Sequence, residues 1–112
     1  MSDRISLTIP ARTGYTGVAA LVLGGIGSRL DLPYERMDDL QLAVLSVLES
    51  VGDDEITVEV DAAVERVAIS MGPLVAGSGS DPSLARVLHP LVDSVESVQR
   101  DGREWLELRL SR

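Results

Sequence analysis

The sequence predicts an α+β fold: a two-layer α/β sandwich in the order β-α-α-β-β-α-β-β, with the strands in one sheet and the helices covering one of its faces. Three observations carry this. Apolar residues alternate with polar ones in five short segments, they recur at helical spacing in three others, and Asp101-Gly102 is a strong two-residue hairpin signal near the end. With 112 residues and 45% hydrophobic content, the chain is expected to form one compact domain over residues 1–112.

Ile5, Leu7 and Ile9 alternate with Arg4, Ser6 and Thr8, as in a half-buried strand that Pro10 ends. Thr13 is placed to cap a helix running to about Leu30. Tyr15, Val18, Ala19, Val22 and Ile26 share one face of it, while Gly17, Ala20, Gly24 and Gly27 form a stripe of small residues elsewhere. Each interior Gly costs about 1 kcal/mol relative to Ala, so the stripe predicts tight packing on a neighbouring element. Asp31, Leu32 and Pro33 break the pattern. Tyr34 to Val51 then reads as a second helix with Met37, Leu40, Val44, Val47, Leu48 and Val51 on its core face. Leu42 and Leu45 lie off that face, either packed beneath the first helix or available to another protein.

Ile56, Val58 and Val60, followed by Val67, Ile69 and Met71 beyond a turn at Asp61 to Glu65, read as a hairpin. Gly72 to Pro82 reads as a Gly/Ser/Pro loop. Ser80 or Asp81 is placed to cap a third helix with Pro82 at its first position, carrying Leu84, Val87, Leu88, Leu91 and Val92. Pro90 predicts a kink or an early end there. Val95 to Gln99 and Trp105 to Leu110 flank the final turn.

Eighteen acids against ten arginines give a net charge of -8, which repels phosphate backbones and anionic lipid surfaces, so neither nucleic acid nor membrane is an expected partner. There is no cysteine and one histidine, His89, so no disulfide framework and no metal site are expected. The longest apolar run, Gly17 to Gly27, falls short of the roughly 20 residues that cross a bilayer. It also lies behind Asp3, Arg4 and Arg12, unlike a signal peptide, and the expected location is the cytoplasm. Gly24-Gly25-Ile26-Gly27 lacks the lysine and the preceding strand of a phosphate loop, and a chain without lysine performs neither P-loop transfer nor Schiff-base chemistry. His89 reads as a partly exposed histidine with no Cys nucleophile to activate. The acidic clusters Asp38-Asp39 and Asp53-Asp54-Glu55 read as solvated helix ends or as steering charges for a basic protein.

Ile9-Pro10-Ala11, Gly27-Ser28-Arg29, the run from Tyr34 to Val44 and Leu91-Val92-Asp93-Ser94-Val95 occur in an order that resembles the anti-sigma factor serine kinases of bacteria, a branch of the histidine kinase-like ATPase superfamily. The resemblance covers nearly the whole chain. It implies a nucleotide site whose second helix supplies a general-base Glu and a magnesium-binding Asn; these positions fall on Ser46 and Ser50. The family's adenine-binding Asp-x-Gly falls on Ser70 and Gly72, its phosphate-binding Gly-x-Gly on Pro82 and Leu84, and a Thr beside adenine on Glu104. Gly77-Ser78-Gly79 is either a displaced remnant of the phosphate loop or a flexible loop. A serine hydroxyl is no carboxylate base, hydroxyls anchor a hard cation weakly, and Pro82 has no N–H. With no asparagine anywhere, no shift of the alignment restores the metal ligand.

The expectation is therefore a degenerate, anti-sigma-factor-like regulator acting by protein binding, with no catalytic residues, no cofactor and no metal. Its vestigial site positions are Ser46, Ser50, Ser70, Gly72 and Glu104. Asp39, Ser46 and Ser50 share a narrow arc of the second helix, lining either a small polar pocket or a filled or solvated groove. The expected partner is a protein, a sigma factor or an anti-sigma antagonist, met by Arg12, Tyr15 and Arg29, although Arg29 is also placed to lie over the core. The competing expectation is an active ATP- and Mg-dependent serine kinase with a rearranged site, using Asp39, Glu49 or Glu104 as the carboxylate. A homodimer, which the resemblance also implies, is compatible with both.

Overall fold

The structure, a computed structural model, describes residues 3–10, 13–29, 31–50, 55–74, 77 and 81–111; for residues 3, 13–16, 18, 19 and 50 it describes the backbone. The elements are β1 (Asp3–Pro10), α1 (Thr13–Arg29), α2 (Tyr34–Ser50), β2 (Glu55–Ala62), β3 (Arg66–Leu74), α3 (Pro82–Leu88), β4 (Ser94–Arg100) and β5 (Arg103–Ser111). The strands form one antiparallel sheet in the order β1-β2-β3-β5-β4. This is the α+β architecture and element order expected.

Period two decides the two faces of the sheet. Val58 and Val60, Val67, Ile69 and Met71, and Leu106, Leu108 and Leu110 are all buried, and they meet Leu40, Ala43, Val44, Val47 and Leu48 of α2 in one core. Leu23 and Ile26 of α1 pack over Ile5 and Leu7. The alternate residues, among them Thr8, Thr57, Glu59, Asp61, Ser70, Glu107 and Arg109, occupy the helix-free face.

The small residues of α1 let α2 approach closely. A Cβ at Gly27 would stand 2.7 Å from Met37, and one at Gly24 would stand 3.2 Å from Gln41 Nε2, which donates a 3.0 Å hydrogen bond to the Ala20 carbonyl. Gly17 does not share in this contact; nothing lies within 4 Å of its would-be Cβ. Leu23, 2% exposed, is a core residue the predicted face omitted, and Leu21 points out at 80% exposure. Leu45 packs on the core, whereas Leu42 is 46% exposed. Past the end of α1, Asp31 takes a left-handed φ of 54°, and the Leu32 N–H donates to the Gly27 carbonyl at 3.1 Å, closing the helix.

One predicted boundary needs correction, and one alternative left open is resolved. The loop expected from Gly72 begins later, because β3 continues through Gly72 and Pro73 to Leu74, which pairs with Glu104. Gly72 and Pro73 together oppose Trp105, a bulge that requires the missing side chain: a Cβ at Gly72 would stand 2.4 Å from the indole Cδ2. Of the loop itself, Gly77 is described and residues 75, 76 and 78–80 lie outside the described residues. The third helix stops at Leu88, ahead of Pro90: of the kink and the early end expected there it is the early end, which leaves Leu91 and Val92 beyond the helix. Asp81 rather than Ser80 is the cap, its Oδ1 accepting the Ser83 N–H at 2.9 Å. In the final hairpin, Asp101 and Gly102 both have positive φ, 52° and 76°, as a type I′ turn demands.

Asp93 ties the start of β4 to the end of β5. Its N–H donates to the Arg109 carbonyl at 2.8 Å and its Oδ2 accepts the Ser111 N–H at 2.7 Å. That backbone hydrogen bond, reinforced by the Ser111 side chain, lowers the Asp93 pKa below the usual carboxylate value.

Four expectations follow from these contacts. Gly17→Ala and Gly25→Ala, where a methyl meets nothing, should each raise stability by about 0.5–1 kcal/mol in urea unfolding. Gly27→Ala should lower it, because the new methyl collides with Met37. Gly72→Ala should cost about 1–3 kcal/mol and shift the emission of Trp105, whose ring it displaces. Because the folded-state pKa of Asp93 is depressed, its contribution is present above the unfolded-state pKa and is lost as pH falls through the folded one. The stability gap between the parent and Asp93→Ala should accordingly narrow on acidification, as read from urea midpoints at neutral and acid pH.

Candidate functional site

Ser46 and Glu49 stand three residues apart on one side of α2, facing the first turns of α3. With Asp81, Ser83, Leu84 and Val87 they line a groove of about 220 Å³. Ser46 Oγ donates to the Leu42 carbonyl at 2.7 Å, a back-bond to its own helix. Asp81 uses one oxygen to cap α3. Val87, 47% exposed, adds an apolar strip. The lining thus carries two carboxylates, two hydroxyls and apolar surface, with no arginine. Among the described residues, neither Glu49 nor Asp81 takes part in a salt bridge. Such a set accepts hydrogen bonds and attracts cations.

Of the five predicted site positions, the structure describes the side chains of Ser46, Ser70 and Glu104 and the place of Gly72, and it puts them on different surfaces of the fold. Ser46 lies in this groove. Ser50 is the last residue of α2, and its side chain lies outside the described residues. Ser70 sits between Ile69 and Met71 and so faces the helix-free side, in register with Glu59 on one neighbour strand and Glu107 on the other. Gly72 is on that same side beneath Trp105. Glu104 has the parity of Leu106 and lies on the helix side of β5, partly buried and opposite Leu74. A triphosphate with Mg²⁺ needs cations or backbone N–H groups for its oxygens and a carboxylate or amide for the metal. The groove offers Glu49 and Asp81 against the phosphates, and Pro82 without an N–H at the start of α3. Among the described residues this lining opposes the phosphates, while its two carboxylates are of the kind a Mg²⁺ ion takes.

Of the residues expected to meet a partner, Arg12 lies outside the described residues, and Tyr15 is described only as part of the α1 backbone. Arg29 is exposed in the last turn of α1, where a cation complements the helix dipole, rather than lying over the core. Beside it a second, more open groove of about 370 Å³ is lined by Ser28, Asp31, Leu32, Tyr34 and Met37, with Tyr34 78% exposed. Gly24 to Gly27 lie inside α1, not in a phosphate loop. His89 is exposed in the turn after α3, its N–H donating to the Ala85 carbonyl at 2.9 Å. Asp39, near Ser46 on the helical wheel, lies 3.9 Å from Arg36.

Among the described residues, no three potential metal ligands cluster and no helix is long and apolar enough to cross a membrane. Sequence reasoning had singled out Glu49 and Asp81 separately, one as an alternative carboxylate and one as a cap. The i, i+3 spacing of Ser46 and Glu49 was readable; that α3 brings Asp81 alongside them depends on long-range packing.

No family model matches the chain. It is similar to the Serine-protein kinase RsbW of Listeria monocytogenes serotype 4a, 37% identical over 67 residues, which is 53% of this chain and 43% of that protein. The Serine-protein kinase RsbW of Oceanobacillus iheyensis is 43% identical over 42 residues, 38% of this chain and 27% of that protein. That of Halalkalibacterium halodurans is 33% identical over 51 residues, 46% of this chain and 32% of that protein. The chain spans less than half the length of these relatives, and its likeness to the serine-protein kinases covers about half of the chain itself.

Proposed function

We infer that this protein is a regulator similar to anti-sigma factors that works by binding other proteins and has lost ATP binding and serine kinase activity. The lining of the α2–α3 groove supports this reading: it carries Glu49 and Asp81 and no arginine to meet phosphate, and serine stands at the positions the resemblance assigns to the base and the metal ligand. Ser46 further gives its hydroxyl hydrogen to the Leu42 carbonyl. The partner in this reading is a sigma factor or an anti-sigma antagonist, met in the cytoplasm, with Arg12, Tyr15 and Arg29 as contacts, no cofactor, and a homodimer as the working form.

The names of the relatives favour a second reading, an active serine kinase with a rearranged site. In it Glu49, which lines the groove, or Glu104, on the helix side of the sheet, supplies the carboxylate. Asp39 is a poorer candidate because it is paired with Arg36.

Calorimetric titration with MgATP separates the two. The regulator reading expects no saturable heat in the micromolar range. Saturable micromolar binding, abolished by Glu49→Gln, would overturn the loss of ATP binding and favour the kinase reading.

A further inference from the structure

Sulfur in this protein is confined to three methionines, because the chain has no cysteine. Met1 lies outside the described residues, and the fold treats the other two differently. Met71 points from β3 into the core and is 0% exposed. Met37 stands in the first turn of α2, half-buried, and lines the open groove of about 370 Å³ with Ser28, Asp31, Leu32 and Tyr34. A small oxidant in solvent therefore reaches the Met37 thioether and not that of Met71, and no thiol in the chain takes the oxidant first. The Met37 sulfur is also part of a helix contact. Its Sδ and Cγ each stand 2.7 Å from the point where a Cβ on Gly27 would be, so the thioether rests on the backbone of α1. Around that contact the Leu32 N–H closes α1 on the Gly27 carbonyl at 3.1 Å, and the Met37 N–H donates to the Pro33 carbonyl at 3.0 Å. The apolar filler that sets the spacing of α1 and α2 is thus the one described sulfur open to chemical change.

We propose that Met37 is a reversible oxidation site, whose conversion to the sulfoxide by hydrogen peroxide loosens the contact between α1 and α2 at Gly27. Sδ gives an electron pair to one peroxide oxygen, and the S–O bond forms as the O–O bond breaks. The hydroxyl now on sulfur passes its proton to the departing hydroxide, which leaves as water. Sulfur is oxidised by two electrons and the peroxide reduced by two. A thiol-dependent methionine sulfoxide reductase reverses the change. The product is bulkier and carries a polar oxygen that seeks water, so it fills a close-packed contact against glycine poorly. Turning out into the groove satisfies that oxygen and vacates the space beside Gly27. The last turn of α1, with exposed Arg29, then loses its support from α2.

The test exposes the folded full chain to hydrogen peroxide and follows it by peptide mass spectrometry, amide chemical shifts and urea unfolding. Met37 is expected to gain one oxygen while Met71 stays a thioether. Amide shifts are expected at Gly27, Ser28, Leu32 and Met37, with a fall in the urea midpoint. Methionine sulfoxide reductases A and B with dithiothreitol should return the shifts and the midpoint to their starting values, which decides the question on the unmutated chain. Met37→Leu keeps an apolar side chain of similar volume and removes the sulfur. Its amides and midpoint should not respond to peroxide, although Met1 and Met71 remain. Met37 staying reduced, Met71 oxidising alongside it in the folded protein, or a Met37 sulfoxide that leaves the α1–α2 amides and the midpoint unchanged would each overturn the proposal. So would an equal response in Met37→Leu, or a response that the reductases do not reverse.

Discussion

Burial of the inward-facing side chains of the sheet beneath α2 fixes where every other group can be. Leu40, Val44, Val47 and Leu48 are at most 2% exposed, and the strand residues they meet, from Val58 across to Leu110, are at most 3% exposed. At roughly 1.5–3 kcal/mol for each large apolar side chain removed from water, this layer outweighs any single polar contact in the molecule. The parity of each strand is therefore not negotiable: slipping one strand by a residue would turn its whole apolar set into solvent. Functional residues must accept whichever face that parity assigns them.

That constraint divides the polar chemistry into two regions. On the helix-free face, Arg100 lies 4.2 Å from the centre of the Trp105 ring and reaches across β5 and β3 to Glu59 on β2, a 3.0 Å hydrogen bond that ties the edge hairpin to the middle of the sheet. Arg109 gathers Glu96 and Glu107, which stand directly opposite each other and would otherwise repel. These exposed pairs are individually weak, on the order of 1 kcal/mol or less. Their joint effect is to set three arginines among four acids on that face. On the helix side Glu49 and Asp81 border the α2–α3 groove with no salt bridge among the described residues.

Much of the fold was legible in local residue patterns. Alternation marked the strands, Asp81-Pro82 the start of α3, Pro90 its end, and Asp101-Gly102 the last turn, each through a backbone preference that needs no distant partner. The extension of β3 was not legible, because Gly72-Pro73 has the local signature of a break and only the indole across the sheet explains why the strand persists. Nor was Leu23: α1 is apolar nearly all round, so helical spacing alone could not choose its buried face. The site was legible in composition more than in geometry. The lack of asparagine and lysine was plain, and so was the alternation that puts Ser70 opposite to Ile69 and Met71, yet matching motifs through Gly72 hid that second fact. Joining Asp81 to Glu49 required the packing of two helices more than thirty residues apart in the chain.

The contact between Gly27 and Met37 carries a consequence for how this protein can change over time. The two helices are held at a spacing defined by a side chain that does not exist, with the thioether of Met37 occupying the space a Cβ would claim. Volume at the two positions is then a shared quantity. Drift toward alanine or serine at 27 becomes tolerable only when 37 shrinks in the same lineage, so an alignment of descendants should show the pair exchanging bulk as reciprocal substitutions while its total stays level.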